Sequence, residues 1–181
     1  MESKQKAADG TTYDNGYGIC MIPYSQPMPA SWNQTNTLTG AYKSSYMHTT
    51  VLPNYVTTKL QVLGSHIVKR NVLLSSSINS TDKFSNAYTW TTAYATLMSV
   101  GQMTGNFAAN KNKYDDGEAN YKLPIFDHAD FKTGSDFWTR NVSGDPFNSN
   151  TYCSYYIQYG GGIMNGLVTS QYGVRPLIYL R

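Results

Sequence analysis

The chain has 181 residues, a length that fits one domain with a short attachment segment. Charged residues and aromatic residues each make up 14% of it, and the formal net charge is +3. The positive charges are spread too thinly to neutralise a row of phosphates, so we expect no nucleic-acid binding. No apolar run is long enough to cross a bilayer, so we also expect no membrane insertion.

The first 17 residues are polar and show no periodic hydrophobicity. This pattern is typical of an arm or linker that has no core of its own. We therefore predict an N-terminal arm over residues 1–17 and one domain over residues 18–181. The first strand of the domain is predicted at 18–23, where a short apolar run is bounded by Gly18 and Pro23.

A helical region is predicted next. Ser44 and Ser45 can cap a short helix over 46–50, because Ser side chains accept hydrogen bonds from the first free amide groups. Pro53 suits the first turn of a second helical piece, since its fixed φ is already helical. Gly64 supplies a stop signal for that piece.

The middle of the chain predicts one strand and one further helix. Residues 66–74 have the β-branched character of a strand, and the serines at 75–77 predict a turn. The spacing of apolar residues over 85–98 favours a second helix. Residues 106–122 lose all apolar periodicity and predict an exposed loop, and short apolar structure resumes at 123–126.

Three closing strands are predicted at 137–140, 155–159 and 174–180. Two short helices early, short strands late and long loops throughout indicate an α+β fold with a small antiparallel sheet.

The last third of the chain has the residue mixture of a binding surface. Tyr gives large and stiff contact area, while Ser, Gly and Asn give adaptable hydrogen bonding. Tyr152, Tyr155, Tyr156 and Tyr159 cannot all point to one face of a strand, so several are expected to face solvent. The alternative is that Tyr fills strands and that Asn, Ser and Gly fill turns, as in any antiparallel β domain.

Groups that could perform catalysis or hold a metal are sparse. His128 lies between Asp127 and Asp130, but a capped turn explains this spacing better than a metal site. The acidic residues of 115–118 lack the further oxygen ligands that calcium needs. Cys20 and Cys153 have neither a neighbouring base nor metal-ligand spacing, and they could form a disulfide or remain two buried thiols. We expect no enzyme activity, no metal and no cofactor.

Two segments near the C-terminus carry a resemblance. They are Phe-Trp-Thr-Arg at 137–140 and Tyr-Gly-Val-Arg-Pro at 172–176. Together they resemble the W-x-R … G-V-R-P ending of a family of phage and bacterial domains. They are also similar to the C-type-lectin-like variable proteins of diversity-generating retroelements, of the phage major tropism determinant type. The resemblance covers about residues 18–181.

This resemblance implies a C-type-lectin-like fold in which buried scaffold residues support displayed ones. The implied scaffold residues are Trp138, Arg140, Gly173, Arg175 and Pro176. Adenine-directed mutagenesis of Asn codons would explain the excess of Asn, Ser and Tyr between them. Composition and resemblance together predict ligand contacts by Asn141, Ser143, Asp145, Asn148, Asn150, Tyr152, Ser154, Tyr155, Tyr156, Gln158, Tyr159 and Asn165.

The implied function is non-enzymatic binding of a host surface protein or glycan by a phage or prophage virion protein. The arm would attach the domain to other virion proteins, and a homotrimer would be natural at a fibre tip. The chain would be made in the bacterial host cytoplasm and would reside at the virion surface. One alternative is a structural decoration or assembly protein of the head or tail fibre. An enzyme, such as a glycan hydrolase or a formylglycine-generating relative, is the third hypothesis, and it lacks an acid–base constellation.

Overall fold

The computed structural model describes three short strands before residue 22, and then residues 28–81, 84–104, 135–143, 152–158 and 160–181. The first two strands, β1 (Lys4–Lys6) and β2 (Thr12–Asp14), pair antiparallel with each other inside the predicted arm. Strand β3 (Ile19–Met21) confirms the first predicted strand of the domain. Strand β4 (Met28–Ser31) follows it.

The predicted helical region is present, but its end differs. A 3-10 turn (Tyr42–Ser44) and a π-helical turn (Met47–Val51) lead directly into α1 (Leu52–Lys59), with Pro53 in its first turn. The Ser45 hydroxyl accepts a hydrogen bond from the His48 amide at 3.1 Å, so it acts as a cap. Gly64 does not end α1. It lies inside a following 3-10 segment (Gln61–His66), where its φ of 45° suits a residue without a side chain.

The helix predicted over 85–98 is wrong. Strand β6 (Ser85–Ala93) pairs antiparallel with β5 (Arg70–Ile78), and β7 (Ala95–Leu97) follows directly. The predicted turn at 75–77 is also wrong, because those serines lie in β5 and pair with β6. The helix of this region is the short α2 (Val100–Thr104).

The largest sheet is built mainly from the C-terminal third. Its strands are β8 (Phe137–Ser143), β9 (Cys153–Ile157), β10 (Ile163–Leu167), β11 (Gln171–Val174) and the early β4, in the order β10-β9-β8-β11-β4. Strands β8 and β11 are parallel and the other neighbours are antiparallel. The last strand, β12 (Pro176–Leu180), joins β3 and β7 in a separate three-stranded sheet. The predicted single antiparallel sheet is therefore several sheets, and one of them is mixed.

One hydrophobic core connects the sheets to the helical region. Trp32, fully buried after β4, donates its indole hydrogen to the Thr139 carbonyl on β8 at 3.1 Å. Its ring lies 5.7 Å from that of Tyr42, whose hydroxyl accepts a hydrogen bond from the Leu97 amide at the end of β7. The fold is thus mixed α+β, with few short helices and several sheets.

Candidate binding surface

Five of the predicted ligand contacts are buried, so their expected display to solvent is wrong. Strand β9 lies between β8 and β10, and every residue of β8 and β9 is buried. Because alternate residues of a strand face opposite sides, both faces of these strands must be covered. Tyr155 and Tyr156 can therefore point to opposite sides of β9 and both be buried. The five buried residues are Asn141, Ser143, Ser154, Tyr155 and Tyr156.

Buried polar side chains form hydrogen bonds around an irregularity in the pairing of β8 with β9. The pairing of β8 with β9 slips between Trp138 and Val142. The Ser154 hydroxyl donates to the Asn141 carbonyl at 2.7 Å, and the Thr139 hydroxyl donates to the Tyr155 carbonyl at 2.8 Å. The side-chain oxygen of Asn141 accepts a hydrogen bond from the Val100 amide at 2.7 Å. Ser154 and Thr139 therefore bond to strand carbonyls at the irregularity, and Asn141 accepts a hydrogen bond from the first amide of α2.

Three predicted contacts reach the surface. Gln158 is exposed, and Tyr152 and Asn165 are half-buried. Gln158 begins the turn between β9 and β10, in which Gly160 and Gly161 both have a φ of 92°. The remaining predicted contacts, Asp145, Asn148, Asn150 and Tyr159, lie outside the described residues.

One side of this sheet carries contacting aromatic rings and a methionine, a group that we call the aromatic face. It consists of Trp138, Tyr156, Tyr172 and Met164, on four different strands. The Tyr156 and Tyr172 rings stack with centroids 4.1 Å apart, and the Trp138 ring meets Tyr172 edge-on at 4.7 Å. Met164 is the direct cross-strand partner of Tyr156, so the two share a side of the sheet.

Gly166 provides the space for this packing. A Cβ atom there would lie 2.6 Å from the Tyr172 ring, 3.1 Å from the Tyr156 ring and 3.2 Å from the Trp138 ring. Any side chain would push the rings apart. A Gly inside a short strand often marks a position that other groups approach closely, so the sequence did contain a signal for Gly166.

The aromatic face is partly accessible to solvent, and its Tyr172 phenol is not ionised. Tyr156 is 9% exposed, Tyr172 is half-buried and Met164 is 46% exposed. Burial, with a smaller effect from a hydrogen bond to Tyr156, raises the pKa of Tyr172 to about 12. Its phenol is therefore neutral near pH 7, and it offers a ring and a hydroxyl rather than a charge. Tyr172 and Met164 are not among the ligand contacts that were predicted from the sequence.

All five implied scaffold residues are buried. The Trp138 indole hydrogen bonds to the Ala30 carbonyl on β4 at 2.8 Å. The Arg175 guanidinium lies 4.8 Å from the centroid of the Phe137 ring, within the range of a cation–π contact. Gly173 pairs with Phe137 across the parallel strands, and its amide bonds to the Asp136 carbonyl at 2.8 Å.

The described residues include no group of three or more His, Cys, Asp or Glu that could hold a metal ion. The candidates at 115–118 and at Asp127, His128 and Asp130 lie outside the described part of the chain. Cys153 is a buried thiol on β9. Within the described ranges, no helix is long and apolar enough to cross a membrane.

Comparisons with models of protein families, with curated proteins and with solved structures found no match for this chain. The resemblance to C-type-lectin-like variable proteins thus stays a prediction from the two C-terminal segments.

Proposed function

We propose that this chain is a non-enzymatic virion protein of a phage or prophage, whose C-type-lectin-like domain binds a host surface protein or glycan. The single observation that carries the proposal is the aromatic face, where stacked Tyr156 and Tyr172 lie beside exposed Met164. Half-buried Tyr172 offers an apolar ring together with a hydroxyl, which is the combination that binding surfaces use, and buried Tyr156 supports its ring.

The surroundings of the aromatic face suit a neutral polar ligand. Met164 shares a side of the sheet with Tyr156 and lies on β10, an edge strand of the described sheet. The neutral Tyr172 hydroxyl can hydrogen-bond a ligand hydroxyl while its ring packs against the carbon face of the ligand. The C-type-lectin-like part of the proposal rests on the two C-terminal segments, and the mixed α+β architecture with few short helices is compatible with it.

A decoration or assembly role in the virion is the second candidate. Met164 and Leu167 are 46% and 45% exposed on the same edge strand. Exposed apolar residues on a sheet edge favour packing against another protein. In this case the partner would be a capsid or tail protein, and no host ligand would exist.

One experiment separates the two candidates. The fluorescently labelled chain is mixed with a panel of bacterial strains, with an array of bacterial surface glycans, and with virions that lack the chain. Host binding predicts labelling of cells or glycans by the free chain. Labelling of virions alone would support the decoration role and contradict receptor binding.

A further inference from the structure

A cleft of about 710 Å³ is lined by residues of other elements than the four strands that carry the aromatic face. Its walls come from α1, from the 3-10 segment that follows α1, and from the junction of β6 and β7. This volume lies within the usual range of small-molecule sites, roughly 300 to 1,000 Å³.

One wall of the cleft is apolar. It is formed by Leu52, Val56, Leu60 and Ile67. Leu52 is buried, whereas the other three are only half-buried. A ligand with an apolar body could cover the part of these side chains that the fold leaves open.

Among the described residues that line the cleft, the charged side chain near pH 7 is a lysine. Lys69 lines the cleft, and its Nζ lies 5.1 Å from the centroid of the Tyr94 ring, which is also in the lining. None of the described residues that line the cleft is Asp or Glu. The positive charges of Lys43 and Arg140 act on His48, another lining residue. His48 itself is neutral near pH 7, because burial and these charges lower its pKa to about 4.

We propose that this cleft binds a small amphipathic anion, with its apolar or aromatic body against Val56, Leu60 and Ile67 and its acidic group at Lys69. Two features support the choice of an anion over a neutral or cationic ligand. The described part of the lining offers a cation without a competing carboxylate, and the contact with the Tyr94 ring keeps the Lys69 ammonium at the lining of the cleft. Hydroxyl and amide groups of Thr57, Gln61 and Thr92 complete the lining and can bond to further ligand oxygens.

Two fluorescent probes that differ in one charged group test this proposal. The first is 8-anilinonaphthalene-1-sulfonate, and the second is the uncharged N-phenyl-1-naphthylamine, which has the same aromatic body. Titrations use the full chain and the variants Lys69→Gln, Thr57→Trp and Lys59→Gln. Lys59 lies on α1 but does not line the cleft, so Lys59→Gln is the matched control for a lost surface charge.

We expect the sulfonate to bind the unmodified chain with saturation at one site. Lys69→Gln should weaken its binding about fivefold or more, the effect of losing one screened charge contact, and should leave the uncharged probe within twofold. Thr57→Trp places a large ring at an exposed position of the wall and should weaken both probes. Lys59→Gln should change neither.

Three results would overturn the proposal. They are an absence of saturable sulfonate binding, unchanged sulfonate affinity in Lys69→Gln, and equal weakening by Lys69→Gln and Lys59→Gln. Both lysines and Thr57 are exposed, so these variants should fold, and far-UV circular dichroism checks that they do.

Discussion

Gly166 is the residue on which the packing of the aromatic face depends most directly. Its absent side chain leaves room for three rings, two of which are the stacked tyrosines. Since protein interiors are close-packed, even one extra methyl group in such a position must displace its neighbours.

Gly166→Ala should therefore destabilise the fold by about 1 to 3 kcal/mol, because the new Cβ would overlap the Tyr172 ring. Gly162→Ala is the matched control on the same hairpin, since its Cβ would meet nothing nearer than 3.7 Å. Denaturant unfolding of both variants measures the difference. Equal free energies of unfolding for the two would contradict the described ring packing.

His48 predicts a pH dependence of stability. Burial lowers its pKa from 6.5 to about 4, with further lowering by Arg140 and Lys43. The unfolded chain then binds the proton more readily than the folded chain does. The stability from neutral His48 is complete above about pH 6.5 and is lost as the pH falls toward 4, to a total of roughly 2 to 3 kcal/mol.

The variant His48→Gln should remove this part of the pH dependence, whereas His66→Gln, at an exposed histidine, should retain it. The measurement is the free energy of unfolding of the three proteins at several pH values from 7 to 4. Parallel curves for the unmodified chain and His48→Gln would show that His48 does not titrate as described.

At the scale of the elements, β6 is a strand for which the spacing of apolar residues predicted a helix. Residues 85–98 have apolar spacing that favours a helix, yet they also contain Thr89, Thr91, Trp90 and Tyr88. β-Branched and aromatic residues fit a pleated surface, and here pairing with β5 decides the outcome. The strand propensity of these residues can be read from the sequence, but the strand with which they pair cannot.

Tyr42 links two elements that are far apart in the chain. It lies in the 3-10 turn before α1, and its hydroxyl accepts a hydrogen bond of 2.7 Å from the Leu97 amide at the end of β7. Tyr42 is fully buried, so no solvent can replace this bond. Burial accordingly raises the pKa of Tyr42, and its phenol stays neutral.

Tyr42→Phe should lower the free energy of unfolding by about 1 to 3 kcal/mol, because the buried Leu97 amide would lose its acceptor. Tyr55→Phe changes a half-buried tyrosine of α1 and should stay within about 0.5 kcal/mol of the unmodified chain. Thermal and denaturant unfolding test the pair. A neutral effect of Tyr42→Phe would exclude this bond as a stabilising link.

At the scale of the whole molecule, the sequence predicted the α+β class, the helical region around Pro53 and the closing strands near their observed positions. It did not predict which residues of the last third are covered. Tyr155 and Tyr156 are buried because β9 lies inside its sheet, and strand order depends on long-range pairing that no local pattern contains. Tyr172 joins the aromatic face for the same reason, since β11 packs beside β8.

The proposed attachment through residues 1–17 gives a prediction for assembly. Deletion of residues 1–16 should leave the unfolding temperature of the remaining chain nearly unchanged, because this segment has no apolar face that could join the core. The same deletion should abolish incorporation into virions, measured by labelling of purified particles. Normal incorporation of the shortened chain would contradict attachment by the arm.

The central claim is that the aromatic face contacts the host ligand. Its most direct test is the affinity of Tyr172→Ala for the cells or glycans that the unmodified chain binds, with Tyr55→Ala as the control at another half-buried tyrosine. Loss of a central contact ring in a binding surface costs about 2 kcal/mol or more, so Tyr172→Ala should bind at least about thirtyfold more weakly while it remains folded. Tyr55→Ala should bind as the unmodified chain does. Unchanged binding by folded Tyr172→Ala would contradict the claim.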